Sequence, residues 1–285
     1  MKLIIQHRTS YRYASAVVLQ PHRLILCPRG GQELRLLASS ISCSPPAELI
    51  WTQDVFGNLI TTASFIGTTA SLVIASEITV EQSSLAWPVF RIATSAHSFP
   101  FDYSADEVTD LGALCVPSQA DPDGNLQAYV RGFVRSTPTD TLSLLKDVNS
   151  GILNRVAYRL RDEEGTQTAL ETLSLASGSC RDIAALFIEV ARHLGLGARA
   201  VSGYLFDPDM DLADAGSTHA WAEVYLPGAG WIAFDPTHQR VGGAFLIPVA
   251  FARSNTQIMP VVGGYLGTPA DFLSMDVEVQ VTSSV

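Results

Sequence analysis

Over the first 82 residues, apolar and polar positions alternate in short runs. Thr9, Tyr11 and Tyr13 recur at every second position. Leu34 to Leu37, Leu49 to Trp51, Leu59 to Phe65 and Leu72 to Val80 are strand-length stretches rich in isoleucine, valine, threonine and aromatics. Successive side chains of a strand point to opposite faces, so this pattern predicts strands with one face buried. Asp54-Val55-Phe56-Gly57-Asn58 supplies turn chemistry for a hairpin between two of them. The expectation is an antiparallel β domain over residues 1–85, with a sandwich as its form.

The alternation then stops. Residues 86–103, with Pro88, Pro100 and several serines, read as a linker or domain seam. Beyond them Leu142, Leu145, Val148, Ile152 and Val156 keep helical spacing after the helix-start signal Thr137-Pro138-Thr139. Ala105 to Val116 and Leu126 to Val134 are weaker helix candidates. Ile183, Leu186, Phe187, Val190 and Leu194 share one face of a further helix that Gly195 ends. Thr218 to Leu226 alternates as a strand, residues 227–230 form a turn, and Trp231 to Asp235 return as a second strand stopped by Pro236. Residues 104–285 are therefore expected to form a second, α+β domain.

A length of 285 residues is comfortable for two domains, and 47% hydrophobic with 16% charged residues is the balance of a folded protein. The apolar run Leu3-Ile4-Ile5 is too short for a signal-peptide core, and no stretch of about 18 apolar residues occurs, so a cytoplasmic protein with no membrane span is expected. A net charge of −10 repels phosphate backbones and anionic membranes, and Lys2 and Lys146 are the only lysines. Nucleic acid is not an expected partner. Cys27, Cys43, Cys115 and Cys180 show neither a CxxC pair nor zinc-site spacing. The first three read as small core residues. His7, His22, His97 and His193 have no ligand spacing to one another, and Gly263, Gly264 and Gly267 do not form a nucleotide loop. No cofactor and no metal are expected.

Cys180 has different surroundings. It lies at the start of the predicted helix, where unpaired N–H groups and the positive dipole end favour a thiolate. Gly178 permits a tight turn and leaves room beside the sulfur. On the two returning strands, a three-residue turn would set Leu226 opposite Gly230 and Asp235 opposite Trp221. Asp235 and His219 then share a face as diagonal neighbours, within reach of a hydrogen bond; a four-residue turn would put them on opposite faces, and the glycine-rich turn allows either. Nucleophile, base and orienting carboxylate are the roles this pattern offers to Cys180, His219 and Asp235. The Cys180 backbone N–H is the natural first donor to an oxyanion, and the sequence identifies no second. A metal site built from the same three residues is the weaker reading. Gly178, Ser179 and Trp221 are the expected pocket residues.

Four blocks in order carry a resemblance: Gly178-Ser179-Cys180-Arg181-Asp182, Leu196 to Tyr204, His219 to Tyr225, and Gly230-Trp231 with Phe234-Asp235-Pro236-Thr237. Together with Tyr11, Tyr13, Leu19 to Leu24 and the Asp54 to Asn58 turn, they resemble the bacterial transglutaminase-like superfamily over most of the chain. The resemblance implies a papain-like α+β core after the N-terminal β domain, with Cys180, His219 and Asp235 as a catalytic triad. Ser179 stands where valine is usual, and Ile183 where an aromatic is common. The implied substrate is a peptide or protein amide, and both hydrolysis and glutamine-lysine cross-linking are implied activities. Hydrolysis is preferred, and a catalytically silent scaffold on the same fold is the alternative from another class.

Overall fold

The computed structural model describes all residues except 85–87, 89, 162, 209–215 and 285. Six strands open the chain: β1 (Lys2–Leu19), β2 (His22–Leu24), β3 (Leu34–Ser44), β4 (Ala47–Gln53), β5 (Leu59–Phe65) and β6 (Thr68–Gln82). β6 pairs with β1 on one side and β3 on the other, while β5 pairs with β2 and β4 to make a second sheet. Tyr13, Val17, Leu24, Ala63, Leu72 and Ile74 fill the space between the two sheets, so the β domain is a sandwich. At the β4–β5 hairpin Asp54 Oδ1 accepts the backbone N–H groups of Phe56 and Asn58, and Gly57 takes a φ of 75°. Both features are what the turn residues promised.

Five helices follow: α1 (Ala105–Leu111), α2 (Asn125–Arg131), α3 (Thr141–Gly151), α4 (Ala169–Leu175) and α5 (Cys180–His193). Two boundaries differ from expectation. α1 gives way at Gly112, which has a φ of 44°, to a tighter turn through Cys115. α3 begins after Asp140, whose carboxylate accepts the Ser143 N–H; a side-chain acceptor at that position satisfies a backbone donor that Thr137-Pro138-Thr139 leaves unmet. Where described, residues 90–103 are packed rather than loose. Phe90, Ile92, Phe99 and Phe101 lie against the main core, and Ser98–Phe99 pairs with Thr139–Asp140.

A third antiparallel sheet is built from β7 (Ala198–Phe206), β8 (Gly216–Leu226), β9 (Gly230–Asp235), β10 (Arg240–Val241) and β11 (Leu246–Ala252), in the order β10-β9-β8-β7-β11. α5 lies across it. Ile183, Leu186, Phe187 and Val190 are fully buried, and the Phe187 ring stacks on Phe234 of β9 at 5.3 Å. The apolar stripe read from the sequence therefore faces the sheet that carries His219 and Asp235.

One expected boundary is corrected. The segment 104–285 does not stay in the second domain, because β12 (Val261–Val262) pairs with β2, and β13 (Tyr265–Leu266) and β14 (Phe272–Ser284) pair with β1. The physical reason is the length of β1. Its backbone N–H and C=O groups from Lys2 to Tyr13 need a partner on the side away from β6, and β14 provides it. The two regions also share a core, in which Leu3, Ile5, Ile78 and Val80 cluster with Ile183, Phe187 and Val224. Among the described residues no helix is long and apolar enough to cross a membrane.

Candidate active site

Cys180 is the first residue of α5, held there by a buried carboxylate. Ser179 is the N-cap with extended backbone. Asp182 folds back so that its Oδ2 accepts the Ser179 backbone N–H at 2.8 Å and the Ser179 hydroxyl at 2.7 Å. The same carboxylate accepts Arg161 Nη1 at 2.7 and 2.8 Å and the Gln167 N–H at 2.7 Å. Burial alone would raise the Asp182 pKa, but these donors outweigh it and hold the carboxyl below its usual range. Asp182 thus ties the loop before α4 to the start of α5. A Cβ on residue 178 would lie 2.8 Å from Asp182 Cβ, which is why glycine stands there.

The facing residues come from the β8–β9 hairpin. Its register runs from Leu226 opposite Gly230 to Ala222 opposite Phe234, the pairing a three-residue turn requires. Gly228 and Gly230, with φ of 81° and 77°, make that turn possible. His219 and Asp235 accordingly share a face, and His219 Nε2 lies 2.9 Å from Asp235 Oδ2. Cys180, His219 and Ala220 line one cavity, and the His219 ring and the Ala220 N–H are the groups that favour the ionised Cys180 thiol. Since Nε2 is committed to Asp235, Nδ1 is the ring nitrogen left for the sulfur. Cys180 and His219 thus share one cavity, and His219 is held on its other side by Asp235.

Electrostatics reinforce the geometry. Burial is the largest influence on Cys180 and opposes ionisation, yet the hydrogen bond and charge of His219 with the Ala220 N–H leave its pKa lowered overall. Burial would also lower His219, but the Asp235 carboxylate and then Cys180 hold it up to about 10. For Asp235, desolvation is again outweighed, here by His219 and His238, and the carboxyl sits well below its usual range. Both shifts act toward a thiolate-imidazolium pair. By contrast burial pushes the thiols of Cys27, Cys43 and Cys115 up. All four cysteines are free.

His238 belongs to this site and was absent from the sequence candidates. Its Nδ1 lies 2.8 Å from Asp235 Oδ2, while Asp235 Oδ1 accepts the backbone N–H groups of Thr237 at 3.1 Å and His238 at 3.3 Å. The available signal was a histidine three residues after a strand-end aspartate, with Pro236 forcing the chain to turn. His219, Asp235 and His238 each offer one ligand atom, and these atoms lie within 4.8 Å of one another, a spacing compatible with a metal ion. Both ring nitrogens are nevertheless already at hydrogen-bond distance from the one carboxylate oxygen.

The three expected pocket residues are placed otherwise. Trp221 is 1% exposed, packs with Val201, Leu205 and Leu246, and stacks beside His219 at 6.0 Å. It is a core residue supporting the imidazole, because the indole is large and apolar enough to fill the far side of the sheet. Gly178 and Ser179 are buried around Asp182. A cavity of about 230 Å³ opens over Cys180 and His219 instead between Thr9 and Tyr11 of β1, residues 258–261, and Met275 and Val277 of β14. One wall of the site therefore comes from the N-terminal sheet.

Comparison with known proteins supports this architecture. Residues 127–236 match the transglutaminase-like superfamily core, and residues 3–81 match the bacterial transglutaminase-like N-terminal region. The uncharacterized protein ML0607 of Mycobacterium leprae is 24% identical over 98% of both chains. YebA of Bacillus subtilis is 28% identical over 89 residues, which are 28% of this chain and 11% of YebA. A crystal structure of a candidate cysteine protease from Cytophaga hutchinsonii superposes with a TM-score of 0.75 at 20% identity, covering 100% of this chain and 92% of that one, and so shares the fold. Residues 3–81 and 127–236 thus match the bacterial transglutaminase-like N-terminal region and the transglutaminase-like superfamily core in sequence order, on a fold shared over the whole chain with that crystal structure.

Proposed function

We propose that the protein is a cysteine-dependent enzyme that hydrolyses a peptide or protein amide through a thioester at Cys180. The observation that supports this reading is Cys180 at a helix N-terminus on the same cavity as His219, whose Nε2 lies 2.9 Å from Asp235 Oδ2. In this mechanism the thiolate attacks the amide carbonyl carbon, and the developing oxyanion takes a hydrogen bond from the Cys180 backbone N–H. The imidazolium of His219 gives its Nδ1 proton to the leaving amine as the C–N bond breaks. Neutral His219 then takes a proton from water, which attacks the thioester carbonyl. Cys180 leaves as thiolate and the carboxylic acid departs. Asp235 keeps Nε2 protonated and steadies the imidazolium throughout.

Hydrolysis is favoured over amine transfer by the charge of the cavity. Among the described residues its lining includes Arg181 but no aspartate or glutamate, and these residues offer a lysine ammonium approaching as acceptor no counter-ion. Water needs none. The test is incubation with a fluorogenic peptide amide panel, with and without monodansylcadaverine. Hydrolysis that disappears in Cys180→Ala, with no dansyl incorporation, supports the reading; incorporation outpacing hydrolysis overturns it in favour of transfer.

A further inference from the structure

The cavity over Cys180 is apolar beyond its catalytic end, and the N-terminal sheet is the reason. β14 pairs with β1 so that Met275 lies opposite Tyr11 and Val277 opposite Thr9. These cross-strand pairs turn one face toward the cavity, and residues 258–261 (Ile258, Met259, Pro260 and Val261) close the remaining side. On this wall His7 and Thr9 are paired, while Asn255 Oδ1 and Arg181 Nε, nearer the catalytic end, have no hydrogen-bond partner among the described residues. His7 Nδ1 is 3.0 Å from the Tyr204 hydroxyl and His7 Nε2 is 3.1 Å from Thr9 Oγ1, which leaves the Thr9 methyl to the cavity. Burial lowers the His7 pKa to about 4, so His7 contributes no charge at neutral pH. Asn255 spends its Nδ2 on the Arg181 carbonyl at 2.7 Å.

Size narrows the ligand further. At about 230 Å³ the cavity is smaller than sites that enclose whole small molecules, which run to ~300–1,000 Å³. It fits one side chain beside the reacting carbonyl. Met275 and Val277 are 50% and 47% exposed although both are apolar, so they offer apolar surface to a group entering the cavity. Met259 and Met275 are two of only four methionines in the chain, and flexible thioether side chains adapt to apolar groups of different shape.

Resting on the cysteine chemistry proposed above, we infer that the substrate is an amide flanked by an uncharged apolar side chain, and that Met275 and Val277 of the C-terminal strand, with Thr9 and Tyr11 of β1, determine this specificity. The N-terminal β domain is on this account half of the substrate site.

Alkylation of Cys180 tests this without a known substrate. N-hexyl iodoacetamide and iodoacetamide carry the same electrophile, and their rate ratio on a small free thiol gives the intrinsic value. Relative to that value, the wild-type protein is expected to prefer the hexyl reagent by about tenfold or more, since each buried methylene adds ~0.8 kcal/mol or about fourfold. Met275→Asp and Val277→Asp should bring the ratio down to that of the free thiol. Ile66→Asp, at a position 98% exposed and outside the cavity, should keep the wild-type ratio. Met275→Ser removes the apolar contact without adding charge and serves if an aspartate variant fails to fold. A normalised wild-type ratio near one, or a ratio unmoved by the Met275 and Val277 variants, overturns the inference while leaving the cysteine chemistry standing. Failure of Cys180 to react with iodoacetamide itself overturns both.

Discussion

His238 Nδ1 lies 2.8 Å from Asp235 Oδ2, the same oxygen that His219 Nε2 approaches at 2.9 Å. The two imidazoles are 5.0 Å apart and meet edge to face. Asp235 Oδ1 is meanwhile fixed by the backbone after Pro236. The carboxylate therefore has no freedom to rotate away from His219.

Removing one clamp should loosen it. In His238→Ala the rate of Cys180 alkylation at pH 6 is expected to fall by about tenfold or more, because a hydrogen bond to a charged group contributes ~1.5–3 kcal/mol. His238 is partly exposed, so the fold should survive, which circular dichroism would verify. A rate equal to wild type would show that the backbone donors alone position Asp235.

Asp235→Asn keeps the shape of the side chain but favours the wrong tautomer of His219. Turnover of an amide substrate is expected to drop by ~10⁴-fold. Steady-state kinetics on any substrate cleaved by the wild type would measure it, and a loss below tenfold would make Asp235 a structural residue.

His219 and Cys180 set opposite limbs of the pH profile. The thiolate is populated once pH exceeds the lowered Cys180 value, and the imidazolium is lost as pH passes about 10. Activity should rise well below the ~8.5 of an ordinary thiol and fall toward pH 10. Stability follows the same signs. The raised His219 pKa contributes stability that is complete below ~6.5 and disappears as pH climbs through about 10. The depressed Asp235 pKa contributes stability present above ~3.9 and lost as pH falls below it. A melting temperature that stayed constant from pH 7 to pH 10.5 would contradict the His219 assignment.

Arg161→Ala takes the cationic partner from Asp182, which is 0% exposed. Stranding a buried carboxylate costs about 3–5 kcal/mol, and the remaining Ser179 and Gln167 donors place this case at the lower end. Denaturant titration should show that loss. A change under about 1 kcal/mol would mean that water replaces Arg161 without penalty.

How far the sequence reveals this molecule depends on the range over which each signal acts. The Cys180 helix and the β8–β9 hairpin are local patterns, but the glycine-rich turn allowed an odd or an even length, and the three-residue turn that puts Asp235 on the His219 face is seen only in the structure. His238 escaped because it follows Pro236, outside any periodic element, and reaches Asp235 only through the turn. Met275, Val277, Val279 and Val281 do alternate with polar residues, so the last strand was readable as a strand. Nothing local says that it crosses back to β1, because pairing over more than 260 residues is decided by which edge is left open. Trp221 was misplaced for a related reason: alternation shows which face it shares with His219, not what packs on that face.

The central claim is that Cys180 is a thiolate paired with His219, and brief iodoacetamide labelling at pH 6 with peptide mass mapping tests it most directly. An ordinary thiol of pKa ~8.5 is almost wholly protonated there. The account predicts rapid labelling of Cys180, little labelling of Cys27, Cys43 and Cys115, and loss of the low-pH reaction in His219→Ala with alkylation persisting above pH 8.5. Slow uniform labelling of all four cysteines at pH 6, or fast Cys180 labelling that survives the loss of His219, would contradict it.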